Sequence, residues 1–354
     1  MENPFKFGMV VKNEDFCDRN KEMKEISQAL RSGMSVSVIS PRRYGKTSMI
    51  IKLIDDLTEY RKVYIDLMGI TSLNDFLDKY VSSIFESLGG IKKFLKDLNN
   101  LIKVRSNVAL DLGVLKLNFE MSSDSKQDIE SVIRLPERFN EKFVIVLDEF
   151  QEILNITNVD IIALLRKEFQ FFQNVVFIFS GSKRSMMKRI FSNPQKPFYR
   201  FTQVYELKNL SKDSVTNFVT QKFEKTGLTI ESDTCHEIYQ ITSGQAYYVQ
   251  ALCYHLWFLA HEKGKLNSEL LADALERVMT SEKAAYESIW DELNPNQKKI
   301  LKALSLDKSP YSVKMSAGSV KRSLESLEKS DIIEKNAKYQ IIDPIFKIWL
   351  MSNR

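Results

Sequence analysis

Nine residues, Ser40-Pro-Arg-Arg-Tyr-Gly-Lys-Thr-Ser48, constrain the fold of this chain more than any other stretch. They follow MSVSVIS (34–40), a β-branched run that reads as a buried strand, and lead into SMIIKLIDDL (48–57), which has the pattern of an amphipathic helix. Gly-Lys-Thr between a strand and a helix is the setting of a phosphate-binding loop. Backbone N–H groups of such a loop and of the helix N-terminus wrap phosphates. Gly45 permits close backbone approach, Lys46 sets a point charge on the terminal phosphates, and Thr47 offers a hydroxyl to Mg²⁺. The nucleotide-contact candidates here are Ser40, Pro41, Arg42, Arg43, Tyr44, Gly45, Lys46, Thr47 and Ser48. Ser40 stands where these loops usually begin with glycine, at a position that often needs a permissive backbone.

A second signal supports the first. KFVIVLDEF (142–150) is an apolar run, read as a central strand, that ends in Asp148-Glu149. Ligands of open α/β sheets bind at the carboxyl ends of the strands. There Asp148 would hold Mg²⁺ through water and Glu149 would polarise an attacking water. The plain alternative is an acidic cap for the next helix.

The rest of the chain alternates strands and helices up to about residue 210. KVYIDL (62–67) and NVVFIFSGS (174–182) read as further strands. Residues 14–33, 71–88, 129–139 and 160–172 read as helices, with Thr71 as the cap of the second. NVALDLGVLKLNFEM (107–121) alternates like an inserted hairpin. Continuous apolar strands alternating with helices imply a parallel sheet covered on both faces. Residues 211–290 read as four helices, a lid-like subdomain. Residues 291–354 read as helices followed by a two-stranded wing, a winged helix–turn–helix. The expected division is therefore a core over 1–210, a lid over 211–290 and a winged helix over 291–354.

Composition excludes other classes. Three cysteines, Cys17, Cys235 and Cys253, lie far apart without CxxC spacing, so neither a disulfide framework nor a zinc site is expected, and a reducing cytoplasm is the expected setting. The start carries no apolar signal core, and no run approaches the length of a membrane span. His236, His255 and His261 lack metal spacing. Lys+Arg 51 against Asp+Glu 46 gives a net charge of +5, which permits nucleic-acid contact without arguing for it.

Taken in order, these motifs resemble the archaeal-type ATPase family of the STAND branch of AAA+-related P-loop ATPases. The resemblance runs over nearly the whole chain: Phe16-Cys-Asp-Arg-Asn-Lys-Glu22, SPRRYGKTS, VIVLDEFQEI, FIFSGSKRSMM (177–187), PFYRFTQVYELKNLS (197–211), TSGQAYYVQAL (242–252) and IIDPIFKIWL (341–350). It implies a P-loop NTPase core with an AAA+-like parallel sheet, a helical lid and a C-terminal winged helix. It also implies ATP and Mg²⁺ as cofactors and a switch in which hydrolysis changes the angles between domains. Phe16, Arg19 and Glu22 would then lie near the adenine, Ser180 or Ser182 would sense the phosphate, and Arg200 would correspond to a Gly-Arg position. The family's Gly-x-Pro appears as Gly244-Gln-Ala246, without its proline.

The expected catalytic set is Glu149, Lys46 and Arg200, with Thr47 and Asp148 as metal ligands. Arg42, Arg43, Arg184 and Arg200 could each meet a γ-phosphate, although an arginine is by default a solvated charge. The expected partners are ATP or ADP and an unidentified protein, with self-association open. A second reading is an ATP-gated DNA binder similar to archaeal origin-recognition initiators; the winged-helix candidate carries Lys298, Lys299, Lys302, Lys314, Lys321 and Arg322, the last two early on the recognition-like helix. Glu325 and Glu328 on the same helix, and the lack of a lid arginine in 246–260, weigh against it. A third is a nucleotide-dependent regulator that hydrolyses slowly, given Ser40 and Ala246.

Overall fold

The computed structural model describes residues 2–11, 13–89, 108–111, 116–119, 125–139, 141–263, 266 and 268–352. By compactness the chain divides into two units. One comprises residues 20–40 and 49–207; the other comprises residues 1–19, 41–48 and 208–354.

The first unit is built on five parallel strands: β1 (Val36–Ile39), β2 (Arg61–Asp66), β5 (Phe143–Asp148), β6 (Val175–Gly181) and β7 (Gln203–Glu206), in the order β2-β5-β6-β1-β7. Every residue of β1, β5 and β6 is buried, as a sheet covered on both faces requires. The middle of the sheet is β6, and β5 lies one place from the edge. β7 has no counterpart in the sequence reading. Its four residues are exposed or half-exposed, so the edge strand carries no apolar alternation. A short hairpin of β3 (Val108–Asp111) and β4 (Lys116–Phe119) lies where the inserted hairpin is expected; residues 112–115 and the expected hairpin's flanks fall outside the described residues.

Helices α1 (Asn20–Arg31), α3 (Leu73–Ser87), α4 (Ser125–Ile133), α5 (Ile161–Phe169) and α6 (Arg184–Phe191) complete this unit. The cap of α3 is Ser72 rather than Thr71: its hydroxyl accepts the Asp75 N–H at 3.1 Å while the Asp75 carboxylate accepts the Ser72 N–H at 3.0 Å. Phe150, Phe169, Phe177, Phe179, Phe191 and Phe198 pack ring against ring in one core.

The second unit contains α7 (Lys212–Glu224), α8 (Ser232–Thr242), α9 (Ala246–Lys263) and α10 (Ser268–Glu292), followed by α11 (Pro295–Ser305), α12 (Ala317–Lys329), the antiparallel wing β8 (Ile333–Lys335) and β9 (Tyr339–Ile341), and α13 (Pro344–Ser352). α10 is one continuous helix of 25 residues that runs past the lid boundary expected at 290. The closing helix α13 is absent from the sequence reading, where the apolar run IIDPIFKIWL carries no helical period. Phe5 joins the core of this unit among Phe218 and Phe223. Helix α2 (Lys46–Asp55) begins in the loop segment 41–48 and continues into the first unit. Among the described residues no helix is long and apolar enough to cross a membrane.

Candidate functional site

Residues 41–48 leave β1 and end in the first turn of α2, with Lys46 as the first helical residue. Two loop residues take the left-handed backbone: Gly45 at φ 80° and Arg43 at φ 72°. Glycine accepts that conformation freely, whereas arginine is strained by it. The backbone demand that sequence places at Ser40 falls on Arg43 instead, since Ser40 is not among the positive-φ residues. Ser40 is buried and donates its N–H to the Gly181 carbonyl at 3.4 Å.

Within the loop's own unit, partners from far along the chain fix its shape. Buried Arg19 donates to the Tyr44 carbonyl at 3.3 Å. The Ser48 hydroxyl accepts the Val11 N–H at 3.1 Å. The Tyr247 N–H donates to the Arg43 carbonyl at 3.2 Å, and Gln245 donates to the Tyr44 hydroxyl at 3.3 Å and also to the Ile342 carbonyl. Pro41, Tyr44, Lys46 and Ser48 are buried, Thr47 is half-buried and Arg42 is exposed.

The Arg43 side chain is turned to acidic and phenolic groups. It pairs with Glu282 of α10 at 2.7 Å, donates to the Tyr248 hydroxyl, and lies 3.5 Å from Asp343. Its guanidinium also stands 4.8 Å from the centre of the Tyr247 ring. The Tyr248 hydroxyl in turn donates to Asp343 Oδ2. Asp343 Oδ1 accepts the N–H groups of Ile345 and Phe346 at 2.9 Å each, which caps α13. Burial works against the Arg43 charge, yet Tyr248, Glu282 and Asp343 together hold its pKa above the ordinary guanidinium value. Burial, reinforced by Glu282, pushes the Tyr247 hydroxyl up to about 12. Burial also raises Asp343, against the hydrogen bond from Tyr248.

The sheet unit carries a separate cluster at the ends of β5 and β6. Buried Asp148 accepts the Tyr64 hydroxyl on Oδ2 and the Glu149 N–H on Oδ1 at 3.0 Å. Glu149 has φ 51°, another strained non-glycine position. Its Oε2 accepts the Ser182 hydroxyl at 2.7 Å, the Ser182 N–H at 3.2 Å and the Gln151 amide. Gln151 is 1% exposed, and its Oε1 has no hydrogen-bond partner among the described residues. A Cβ on Gly181 would collide with that oxygen, so glycine there makes room for the amide that braces Glu149. Of the two serines considered for phosphate sensing, Ser182 meets Glu149, while Ser180 is buried within β6.

The structure thus brings Arg19 to the loop and Ser182 to Glu149. Phe16 is half-buried. Arg200 is exposed, with φ 58° and its guanidinium 5.1 Å from the Tyr199 ring centre. In the winged-helix region Lys298 and Lys302 lie over Trp290 at 5.2 and 5.7 Å, Lys321 faces Glu325 at 4.0 Å, and Lys299, Lys314 and Arg322 are exposed or half-exposed. Sequence reasoning missed Gln151, Gln245, Tyr247, Tyr248, Glu282 and Asp343. Gln151 is legible from its place two residues after Glu149; the others are tied to the loop only by the fold.

The fold and motifs define a P-loop ATPase with a C-terminal winged helix. A family described as an ATPase domain predominantly from Archaea matches residues 16–252, and a model described as a probable winged helix domain matches residues 284–352. The chain belongs to that family of ATPase domains. It is similar in fold to a Walker-type ATPase of Pyrococcus abyssi, with a TM-score of 0.71 at 17% identity over 98% of this chain and 99% of that one. It is also similar to the ORC2 protein of Aeropyrum pernix in its ADPNP–ADP complexes, with a TM-score of 0.57 at 13% identity over 99% and 98% of the two chains. The ORC1 protein of Aeropyrum pernix in complex with DNA follows, with a TM-score of 0.52 at 11% identity over 96% and 94%. A search of curated proteins returns no match.

Proposed function

We propose that the chain binds ATP with Mg²⁺, hydrolyses it, and acts as a STAND-type molecular switch built from a core to residue 210, a lid to 290 and a winged helix beyond. The observation that carries this reading is the loop itself: Gly45 at φ 80° followed by Lys46 as the first residue of a helix that continues a parallel strand. That arrangement aims backbone N–H groups and a cation at a phosphate. Thr47 and Asp148 are the metal ligands in this reading. Their hydroxyl and carboxylate oxygens suit Mg²⁺, which when bound would neutralise phosphate charge. Glu149, steadied by Ser182 and Gln151, is the base that orients the attacking water. Arg200, exposed at a strained backbone position, would stabilise the transferring phosphate when it reaches it. Arg19 and Phe16 border the base end. The ADPNP–ADP complexes of the ORC2 neighbour support a nucleotide as ligand.

The test is binding of fluorescently labelled ATP by the unaltered chain and by Lys46→Ala. Loss of binding in the variant is expected; equal affinity would refute the reading. ATP-gated DNA binding is the second reading, favoured by the likeness to the ORC1 protein in complex with DNA. The pairing of Lys321 with Glu325 and of Lys298 and Lys302 with Trp290 leaves it the weaker one. Salt-sensitive retention of duplex DNA, lost when Lys321 and Arg322 are replaced, would reverse that order.

A further inference from the structure

We infer that Glu282 and Asp343 are positioning residues of the phosphate-binding loop and act on it through Arg43. The inference rests on the nucleotide-binding reading of residues 40–48. Arg43 holds φ 72°, which costs free energy for any residue with a Cβ and nothing for glycine. Such a conformation persists only when its surroundings over-determine it. Here much of the over-determination comes from the side chain. Glu282 receives the guanidinium at 2.7 Å, Tyr248 accepts a second N–H, and Asp343 stands at 3.5 Å.

The partners of Arg43 are themselves held. Glu282 is buried and accepts the Tyr247 hydroxyl at 2.9 Å. Tyr248 is fully buried, shares a 2.9 Å hydrogen bond with the Tyr286 hydroxyl, and donates to Asp343. Asp343 caps the last helix with its other oxygen. The Tyr247 N–H holds the Arg43 carbonyl, so backbone and side chain of the same residue are both gripped. An arginine that faces two carboxylates is already charge-compensated. Its work in this arrangement is to hold the loop, and the carboxylates of α10 and of the winged helix decide how firmly. Nucleotide affinity and the seating of the winged helix are then linked, each biasing the other.

The experiment uses the full-length chain and fluorescently labelled ADP with Mg²⁺, with affinity read by anisotropy. Glu282→Gln and Asp343→Asn keep hydrogen-bonding oxygens for Tyr247 and for the helix cap but remove the charges that hold Arg43. Each is expected to weaken binding about tenfold, within the usual range of coupling between sites. The double variant should weaken it less than the product of the two. Tyr248→Phe, which removes only the relaying hydroxyl, should weaken it in the same direction and serves if a charge variant does not fold. The decisive arm is the Arg43→Gly background. Glycine adopts φ 72° without an anchor, so the same substitutions there should change affinity by less than about twofold, the scatter expected of independent sites. A simple loss of fold stability would persist in that background. If the carboxylate variants bind like the unaltered chain, or weaken binding equally in the Arg43→Gly background, the positioning role is overturned while the nucleotide site stands. If Lys46→Ala binds as tightly as the unaltered chain, the nucleotide-binding reading falls, and this inference with it.

Discussion

The two clusters that carry the candidate site residues are built in opposite ways. At the end of β5, Glu149 is held by Gln151, two residues away, and by Ser182, 33 residues away and just past the end of the neighbouring strand β6. The loop at 41–48 is held by Glu282 and Asp343, 239 and 300 residues from Arg43. The first cluster is assembled once the sheet forms. The second needs the last helix of the chain in place. In the proposed reading the chemistry is local while its control is distant, the arrangement a molecular switch would use.

The contrast between near and distant partners can be tested by substitution. The sheet unit rests on apolar packing. Phe179 is 0% exposed and packs among the rings of Phe150, Phe177, Phe191, Phe198 and Phe201. Phe179→Ala should therefore cost about 3–5 kcal/mol of stability, read from denaturant midpoints. The loop's unit has an apolar core of its own and, in addition, a buried cation held from far along the chain. Lys222 is 4% exposed, and its ammonium is held by Asp15 and by the Pro4 carbonyl at 2.9 Å. Asp15→Asn should cost about 2 kcal/mol, because it leaves a buried cation with one partner fewer. Burial works to raise the Asp15 pKa, but the hydrogen bonds from Lys222 and Lys6 outweigh it and hold it below the ordinary value. The contribution of Asp15 should thus be fully present above the ordinary aspartate pKa and be lost as pH falls through the lowered one. Thermal midpoints of the unaltered chain and Asp15→Asn should converge on acidification.

Ser182→Ala sharpens the contrast inside the candidate site. It removes one of the donors to Glu149 and touches no loop residue named above. It should slow ATP hydrolysis about tenfold with nucleotide affinity unchanged, a loss of transition-state stabilisation alone. The smallest effect belongs to the capping box of α3: Asp75→Ala should cost about 1 kcal/mol and leave nucleotide affinity untouched.

Much of this architecture was legible because it is written locally. Continuous β-branched and aromatic runs marked β1, β5 and β6, and the Gly-Lys-Thr and Asp-Glu pairs at their ends marked the candidate site. The wing was legible from its position after two helices. β7 escaped because an exposed edge strand needs no apolar alternation, and α13 because a run apolar on nearly all sides shows no period. The helix α10 continues past the expected boundary at 290 without a break. At Ser40 the family pattern points to a permissive backbone, but the positive φ lies three residues on, at Arg43, whose backbone and side chain are both anchored. The anchors Glu282 and Asp343 carry no motif, so the connection appears only in three dimensions.

Single-turnover hydrolysis of ATP with Mg²⁺ by the unaltered chain and by Glu149→Gln probes the proposed role of Glu149 as the base of an ATPase. The account predicts hydrolysis by the unaltered chain, and a variant that binds ATP with similar affinity yet turns it over at least about 100-fold more slowly, as loss of a general base requires. Equal rates in the two proteins, or no hydrolysis in the unaltered chain, would contradict it.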